Sequence, residues 1–88
     1  MPAAASLNVL LVDDQLTMRA LIRSGLRELG IVHLREAADA EDALRHLFTQ
    51  PANLIISDFN MPTLDGLGLL RAVRMHVPTK NSAFHMLT

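Results

Sequence analysis

Cysteine, tryptophan and tyrosine are absent from this sequence, and phenylalanine occurs only three times. Without cysteine the chain forms no disulfide and no thiolate zinc site, which is compatible with a reducing compartment. The few aromatic side chains offer little surface for stacking on nucleic-acid bases. A formal net charge of -1 gives no basic field that would attract nucleic acid. We therefore expect no nucleic-acid partner.

Long apolar runs are absent as well. A membrane-spanning helix needs roughly 18 apolar residues in succession, and no stretch approaches that length. Residues 1–6 lack the basic region and the apolar core of a signal peptide. These absences predict a soluble cytoplasmic protein with no membrane partner. The chain has 88 residues, of which 50% are apolar, and this permits one domain rather than two.

The most informative stretch is residues 54–62, which read Leu-Ile-Ile-Ser-Asp-Phe-Asn-Met-Pro. Three branched apolar residues in succession are typical of a strand buried on both faces, as in a parallel sheet covered by helices. The run ends at Asp58 and then turns. Ligands of open α/β sheets bind beyond the carboxyl ends of the strands, which makes Asp58 a candidate functional residue. The alternative is an aspartate that only begins a turn, a common role for this residue.

Strand-like runs alternate with helical spacing along the chain. Continuous apolar runs predict four strands, at residues 8–12, 31–36, 53–58 and 83–88. Between them, apolar residues recur every three or four positions, as on one face of a helix. Such a β-α-β-α-β-α-β alternation calls for a parallel sheet with right-handed crossovers.

Start and stop residues mark the three helices. Gly30 closes the first, Asp39 caps and Pro51 ends the second, and Asp65-Gly66 opens the third. The spacing assigns these inward-facing residues: Met18, Leu21, Ile22, Leu26 and Leu29; Ala40, Ala43, Leu44, Leu47 and Phe48; Leu67, Leu70, Val73 and Val77. Residues 78–82 form a polar loop. The arginines of the first helix are interpreted as a solvated face.

A second acidic pair, Asp13-Asp14, follows the first strand. The carboxyl ends of strands one and three lie side by side in a parallel sheet, so Asp13, Asp14 and Asp58 converge. Close carboxylates repel one another unless a cation offsets them. All the available ligands are hard oxygens, which favours Mg²⁺ over zinc. Because Mg²⁺ commonly adds a substrate phosphate, the cluster indicates phosphoryl chemistry with Asp58 as nucleophile. The backbone carbonyl of Asn60 is a further candidate metal ligand. The hydroxyl of Thr88 is a candidate hydrogen-bond donor to the phosphoryl group.

Three motifs resemble the receiver domain of two-component response regulators, above all the stand-alone chemotaxis receivers. They are Val12-Asp13-Asp14, residues 57–62 with Asp65-Gly66, and a strand that ends in Thr88. The resemblance implies a flavodoxin-like α/β fold, in which a parallel sheet of order 2-1-3-4 carries helices on both faces.

The same resemblance implies a phosphoprotein that acts in signal transduction and is not an enzyme beyond its own phosphorylation and dephosphorylation. Asp58 is then the phosphoacceptor and Thr88 the switch hydroxyl. Asp13, Asp14, Asp58 and the backbone carbonyl of Asn60 hold Mg²⁺. The implied partners are a histidine kinase or phosphotransfer domain, which donates the phosphoryl group, and a downstream protein target.

The family's domain continues with a fourth helix, a fifth strand and a fifth helix, which this sequence lacks. Residues 1–88 are therefore expected to form a single, incomplete receiver domain. Three explanations remain open: the domain is completed by a tail outside this sequence, two chains complete each other by exchanging elements in a domain-swapped dimer, or the chain is a fragment. The absent part normally carries a lysine that pairs with the phosphoryl oxygens, and the only lysine here, Lys80, precedes the fourth strand.

Two other functions compete with the phosphorylated switch. The first is a truncated or domain-swapped receiver that serves as an interaction module and no longer switches. The second is a phosphatase with an aspartate nucleophile. Phosphatases of the haloacid dehalogenase type place a second aspartate two residues after the nucleophile, whereas Asp13 is followed by Asp14 and Gln15. The sequence thus disfavours the phosphatase.

Overall fold

Four short strands form a parallel sheet in the order β2-β1-β3-β4. They are β1 (Asn8–Val12), β2 (His33–Ala37), β3 (Leu54–Asp58) and β4 (Ala83–Leu87). This computed structural model describes residues 4–87. The predicted strand order and parallel architecture are confirmed.

Three α-helices cover the sheet on its two faces: α1 (Leu16–Glu28), α2 (Ala40–Thr49) and α3 (Gly66–Met75). Short 3-10 turns lie at Ala4–Ser6 and Val77–Thr79. Strand residues alternate between the faces because successive side chains of a strand point in opposite directions. Leu10 and Ile55 pack with α2 and α3, while Val9 and Ile56 pack with α1. No helix within residues 4–87 is long and apolar enough to cross a membrane.

The end of α1 explains why β2 begins two residues later than predicted. Gly30 has a φ of 92°, a conformation that glycine adopts at little cost. The N–H of Gly30 donates to the carbonyl of Arg27, and that of Ile31 donates to Leu26, which is the hydrogen-bond pattern of a Schellman motif. Ile31 is buried at the end of the helix and not in the strand.

The remaining boundaries differ less from the prediction. β3 begins at Leu54, one residue late, and β4 is described as far as Leu87. Part of the predicted loop 78–82 forms the 3-10 turn Val77–Thr79.

The predicted inward face of α1 is too wide. Ile22 and Leu26 pack on the sheet, but Leu21 is 67% and Leu29 71% exposed. Met18, at 39%, is also exposed. Only a narrow stripe of this helix contacts β1, so the flanking apolar residues face outward.

The inward faces of α2 and α3 were also predicted in part wrongly. Phe48 is 63% exposed, and its ring pairs with the His76 ring in a T-shaped arrangement instead of entering the core. In α3 Leu69 and Val73 are buried, whereas Leu67 is exposed. Val73 is therefore buried as predicted and Leu70 is partly buried, but Leu69 takes the core position that was predicted for Leu67. The clustered leucines of α3 fit two helical phases that differ in this residue. Val77 is exposed because it follows the helix in a 3-10 turn.

The predicted Asp39 cap and the predicted start of α3 at Asp65-Gly66 are confirmed. A side-chain oxygen of Asp39 accepts a hydrogen bond of 2.8 Å from the N–H of Asp42, and Asp65 accepts one of 2.9 Å from Gly68. Each satisfies an N–H group that the first turn of the helix would otherwise leave unpaired.

The Asp39 cap predicts a specific loss of stability. Replacement D39A removes the acceptor and should lower the free energy of unfolding by about 1 kcal/mol, while D39N keeps an acceptor and should cost much less. Urea unfolding monitored by circular dichroism measures both. Equal losses in the two variants would contradict a role in capping.

Candidate functional site

The carboxyl edge of the sheet brings together the side chains of Asp13, Asp14 and Asp58. One carboxylate oxygen from each lies within 4.8 Å of the others. The cause is the pairing of β1 with β3, in which Val12 lies opposite Ser57. Asp13 and Asp58 are the residues that follow these two partners. Because the partners lie side by side, both aspartates project into the same crevice.

Asp13 is the most enclosed of the three, with 3% of its surface exposed. Its N–H donates to the carbonyl of Ala37 at 3.1 Å, and its own carbonyl accepts a bond of 2.6 Å from the guanidinium of Arg19. Its Oδ1 accepts a hydrogen bond of 2.8 Å from the N–H of Gln15. Asp13 is thus fixed through both its backbone and its side chain.

Burial raises the pKa of Asp13 above its ordinary value of 3.8. The hydrogen bond from Gln15 opposes that rise, the negative charges of Asp58 and Asp14 add to it, and Arg19 opposes it. The ionised form of Asp13 is therefore disfavoured both by loss of water and by its acidic neighbours. A cation within the cluster would relieve the repulsion.

The donor set fits Mg²⁺. This ion prefers oxygen ligands with bonds of about 2.0–2.1 Å, so ligands on opposite sides are about 4.2 Å apart. The carboxylate oxygens lie within 4.8 Å of one another, close to that span. A small closing movement, or a water between one carboxylate and the ion, accommodates the difference. Mg²⁺ usually retains several waters, so both arrangements are chemically reasonable.

Asp58 is half-buried at the end of β3, opposite Leu87 of β4. It lines a cavity of about 410 Å³ together with Asp13, Gln15, Met18, Ile22 and Leu87. One part of that cavity is acidic and the other is apolar. An anionic group held by a cation would have room beside Asp58.

The chain leaves Asp58 through a loop that returns to the start of α3. The N–H of Gly66 donates to the carbonyl of Phe59 at 2.9 Å. A Cβ at Gly66 would lie 2.5 Å from the carbonyl oxygen of Asp58 and 2.5 Å from the sulfur of Met86. Only glycine fits there without a shift. The sequence marked Gly66 as a helix start, but it gave no sign of this close approach.

The structure gives less information about two of the predicted site residues, Asn60 and Thr88. Asn60 lies in the exposed loop two residues after Asp58, so its carbonyl stays a predicted metal ligand. Thr88 lies outside the described residues.

Arg19, by contrast, was interpreted from the sequence as part of a solvated face, yet its guanidinium contacts the Asp13 carbonyl. Helical spacing indicates which residues avoid the core and not which of them fold back over a neighbouring loop.

The packing at Gly66 predicts opposite effects for two glycine substitutions. G66A should lower the free energy of unfolding by about 1–3 kcal/mol, the usual cost of overpacking. G25A is the matched control, because nothing lies within 4 Å of a Cβ at that position of α1. It should be neutral or stabilising by up to about 1 kcal/mol, through helix propensity alone. Urea unfolding of both variants tests this, and a stabilised G66A would refute the close approach.

The raised pKa of Asp13 predicts a stability change with a definite sign. Between the unfolded and folded pKa values the native state binds more protons, so the free energy of unfolding falls as pH rises through that window. D13N removes the charge but keeps an oxygen for the Gln15 N–H. Metal-free D13N should therefore be more stable than the unsubstituted protein at pH 7, and the gain should vanish in acid.

Thermal unfolding across pH, in the presence of a chelator, measures this effect. D14N serves as the control, since Asp14 is exposed and its neutralisation should change stability less. A D13N protein that is less stable at pH 7 would contradict the account.

Comparison with known proteins identifies the family. The family model for the response regulator receiver domain matches residues 9–88. A probable chemotaxis protein CheY of Rhizobium etli is 46% identical over 88 residues, which are 100% of this chain and 68% of that protein. The chemotaxis protein CheY of Pseudomonas aeruginosa is 39% identical over 82 residues, covering 93% of this chain and 66% of the relative. The chain thus spans about two thirds of the length of these relatives.

Solved structures agree. The response regulator Chey2-Mg²⁺ of Sinorhizobium meliloti, in its BeF3-activated form, superposes with a TM-score of 0.79 at 46% identity, covering 100% of this chain and 68% of that one. The chemotaxis response regulator CheY4 of Vibrio cholerae superposes with a TM-score of 0.85 at 34% identity, covering 91% and 66%. The curated relatives from Rhizobium etli and Pseudomonas aeruginosa are CheY-like chemotaxis proteins. The chain therefore belongs to the response regulator receiver domain family of two-component signal transduction.

Proposed function

We propose that this chain accepts a phosphoryl group on Asp58 in a Mg²⁺-dependent reaction and thereby changes its binding to a protein target. The observation that carries the proposal is the cluster of three carboxylates at the carboxyl edge of the sheet. Within it, Asp13 is enclosed and one of its oxygens is occupied by the Gln15 N–H. Asp58 ends a rigid central strand and lines the cavity, so its carboxylate is the better placed nucleophile.

The donor is a phosphohistidine of a histidine kinase or phosphotransfer domain. An Asp58 oxygen attacks phosphorus, an O–P bond forms and the N–P bond breaks. The electron pair of the broken bond stays on the imidazole nitrogen, which takes up a proton. Mg²⁺, held by Asp13, Asp14, Asp58 and the carbonyl of Asn60, offsets the negative charge of the transferring group when bound. Attack by water on the acyl phosphate later restores the carboxylate and releases phosphate.

Phosphorylation changes the charge of a crevice that is already acidic. A phosphorylated hydroxyl side chain carries about -1.5 to -2 charges, and an acyl phosphate has a comparable phosphoryl group. We propose that the hydroxyl of Thr88 responds to this group and that the change alters binding of a downstream target. The Rhizobium etli and Pseudomonas aeruginosa relatives are chemotaxis proteins, which supports an output in chemotaxis. The Mg²⁺ in the name of the Sinorhizobium meliloti structure supports the choice of metal.

We further propose that residues 1–88 belong to one domain. A cytoplasmic location and a domain-swapped dimer stay predictions. The alternative function is an interaction module that does not switch. Lys80 lies before β4, whereas Asp58 lies at the opposite, carboxyl end of the neighbouring strand β3. Lys80 therefore cannot serve as the lysine that pairs with the phosphoryl oxygens in this family.

The proposal predicts the outcome of labelling with acetyl phosphate and Mg²⁺. D58N should show no gain of a phosphoryl group by intact mass, because an amide is not a nucleophile toward phosphorus. D65N removes the same charge a few residues away and keeps a cap for α3, so it should be labelled like the unsubstituted protein. Full labelling of D58N would exclude Asp58 as the phosphoacceptor, and no labelling of any variant would favour the non-switching module.

A further inference from the structure

Arg19 connects two parts of the chain that hold the acidic site. Its Nε donates to Glu36 at 3.2 Å, and its terminal NH1 donates to the carbonyl of Asp13 at 2.6 Å. Arg23, one turn later in α1, donates to the other oxygen of Glu36 at 2.6 Å. Each carboxylate oxygen of Glu36 thus accepts a hydrogen bond from one guanidinium. Of these two arginines, Arg19 is the one that also contacts Asp13 in the acidic cluster.

These contacts close a ring around the Asp13 backbone. The N–H of Asp13 donates to the carbonyl of Ala37, the residue after Glu36 at the end of β2. From Glu36 the ring returns through the Arg19 guanidinium to the Asp13 carbonyl. The Arg19 side chain is only 15% exposed, so water competes little for these bonds. The bond to the Asp13 carbonyl, at 2.6 Å from a charged donor, is short, as strong charge-assisted hydrogen bonds are.

We propose that Arg19 is a positioning residue that holds the Asp13 carboxylate in place for Mg²⁺. Repulsion among three carboxylates would otherwise push the loop after β1 outward whenever no cation is bound. By fixing the backbone of Asp13, Arg19 keeps the metal-free site close to its metal-binding arrangement, so less reorganisation opposes binding. The effect on metal affinity rests on the proposed function, whereas the ordering of the loop does not.

The positive charge of Arg19 acts in the opposite direction. A cation near the cluster repels Mg²⁺, so an arginine that acted only through its charge would weaken metal binding, and its removal would tighten it. An arginine that positions Asp13 strengthens binding, and its removal weakens it. The sign of the change in affinity therefore separates the two roles.

The test compares R19Q, R19K and R23Q by nuclear magnetic resonance of backbone amides during titration with Mg²⁺. R19Q should raise the dissociation constant about 10-fold, a typical cost of losing a residue that supports a metal ligand. R19K should raise it as well, because an ammonium keeps the charge but lacks the planar fork that spans Asp13 and Glu36. R23Q removes the same charge from the same helix and the same carboxylate partner, and its dissociation constant should be unchanged.

Hydrogen exchange of the metal-free proteins is the second readout. Exchange at the amides of Asp13 and Gln15 should be faster in R19Q and R19K than in the unsubstituted protein, and unchanged in R23Q. Tighter Mg²⁺ binding by R19Q, or exchange at these amides that does not differ from R23Q, would overturn the positioning role. If R19Q does not fold, R19K decides. If the unsubstituted protein shows no Mg²⁺ binding, the proposed function fails, and the exchange rates alone decide whether Arg19 orders the loop.

Discussion

Repulsion among three carboxylates at one edge of a parallel sheet is the constraint on which the rest of this structure depends. The pairing of β1 with β3 forces Asp13, Asp14 and Asp58 into the same crevice, with carboxylate oxygens within 4.8 Å of one another. The fold tolerates this because both strands are anchored by fully buried side chains such as Leu10 and Ile55. Core packing therefore holds together a cluster that electrostatics alone would disperse.

The surroundings of the cluster resist that dispersal with specific contacts. Ala37 and Arg19 hold the backbone of Asp13 from two sides, and Gln15 binds its side chain. On the other strand, Gly66 lets α3 begin directly against the carbonyl of Asp58. A site assembled in this way would require little rearrangement to bind the proposed Mg²⁺, which is the general advantage of preorganised sites. The cost is a buried carboxyl group, Asp13, whose ionised form is disfavoured.

Sequence reasoning located Asp13, Asp14 and Asp58 because their positions follow from topology alone. Apolar runs that end in acid, placed on parallel strands, must present those acids at a common edge. It failed where the answer depends on contacts between elements. The leucines of α3 fit two helical phases, Phe48 contacts His76 instead of the core, and Ile31 completes a helix end that resembles the start of a strand. The fold-back of Arg19 onto Asp13 has no periodic signature either.

The most direct test of the central claim is to locate the phosphoryl group on the unsubstituted protein. The protein is incubated with acetyl phosphate, with and without Mg²⁺, the acyl phosphate is trapped by reduction with borohydride, and the modified residue is identified by peptide mass spectrometry. The account predicts modification at Asp58 alone and only when Mg²⁺ is present. Modification at Asp13 or Asp14, or equal modification of Asp58 without Mg²⁺, would contradict it.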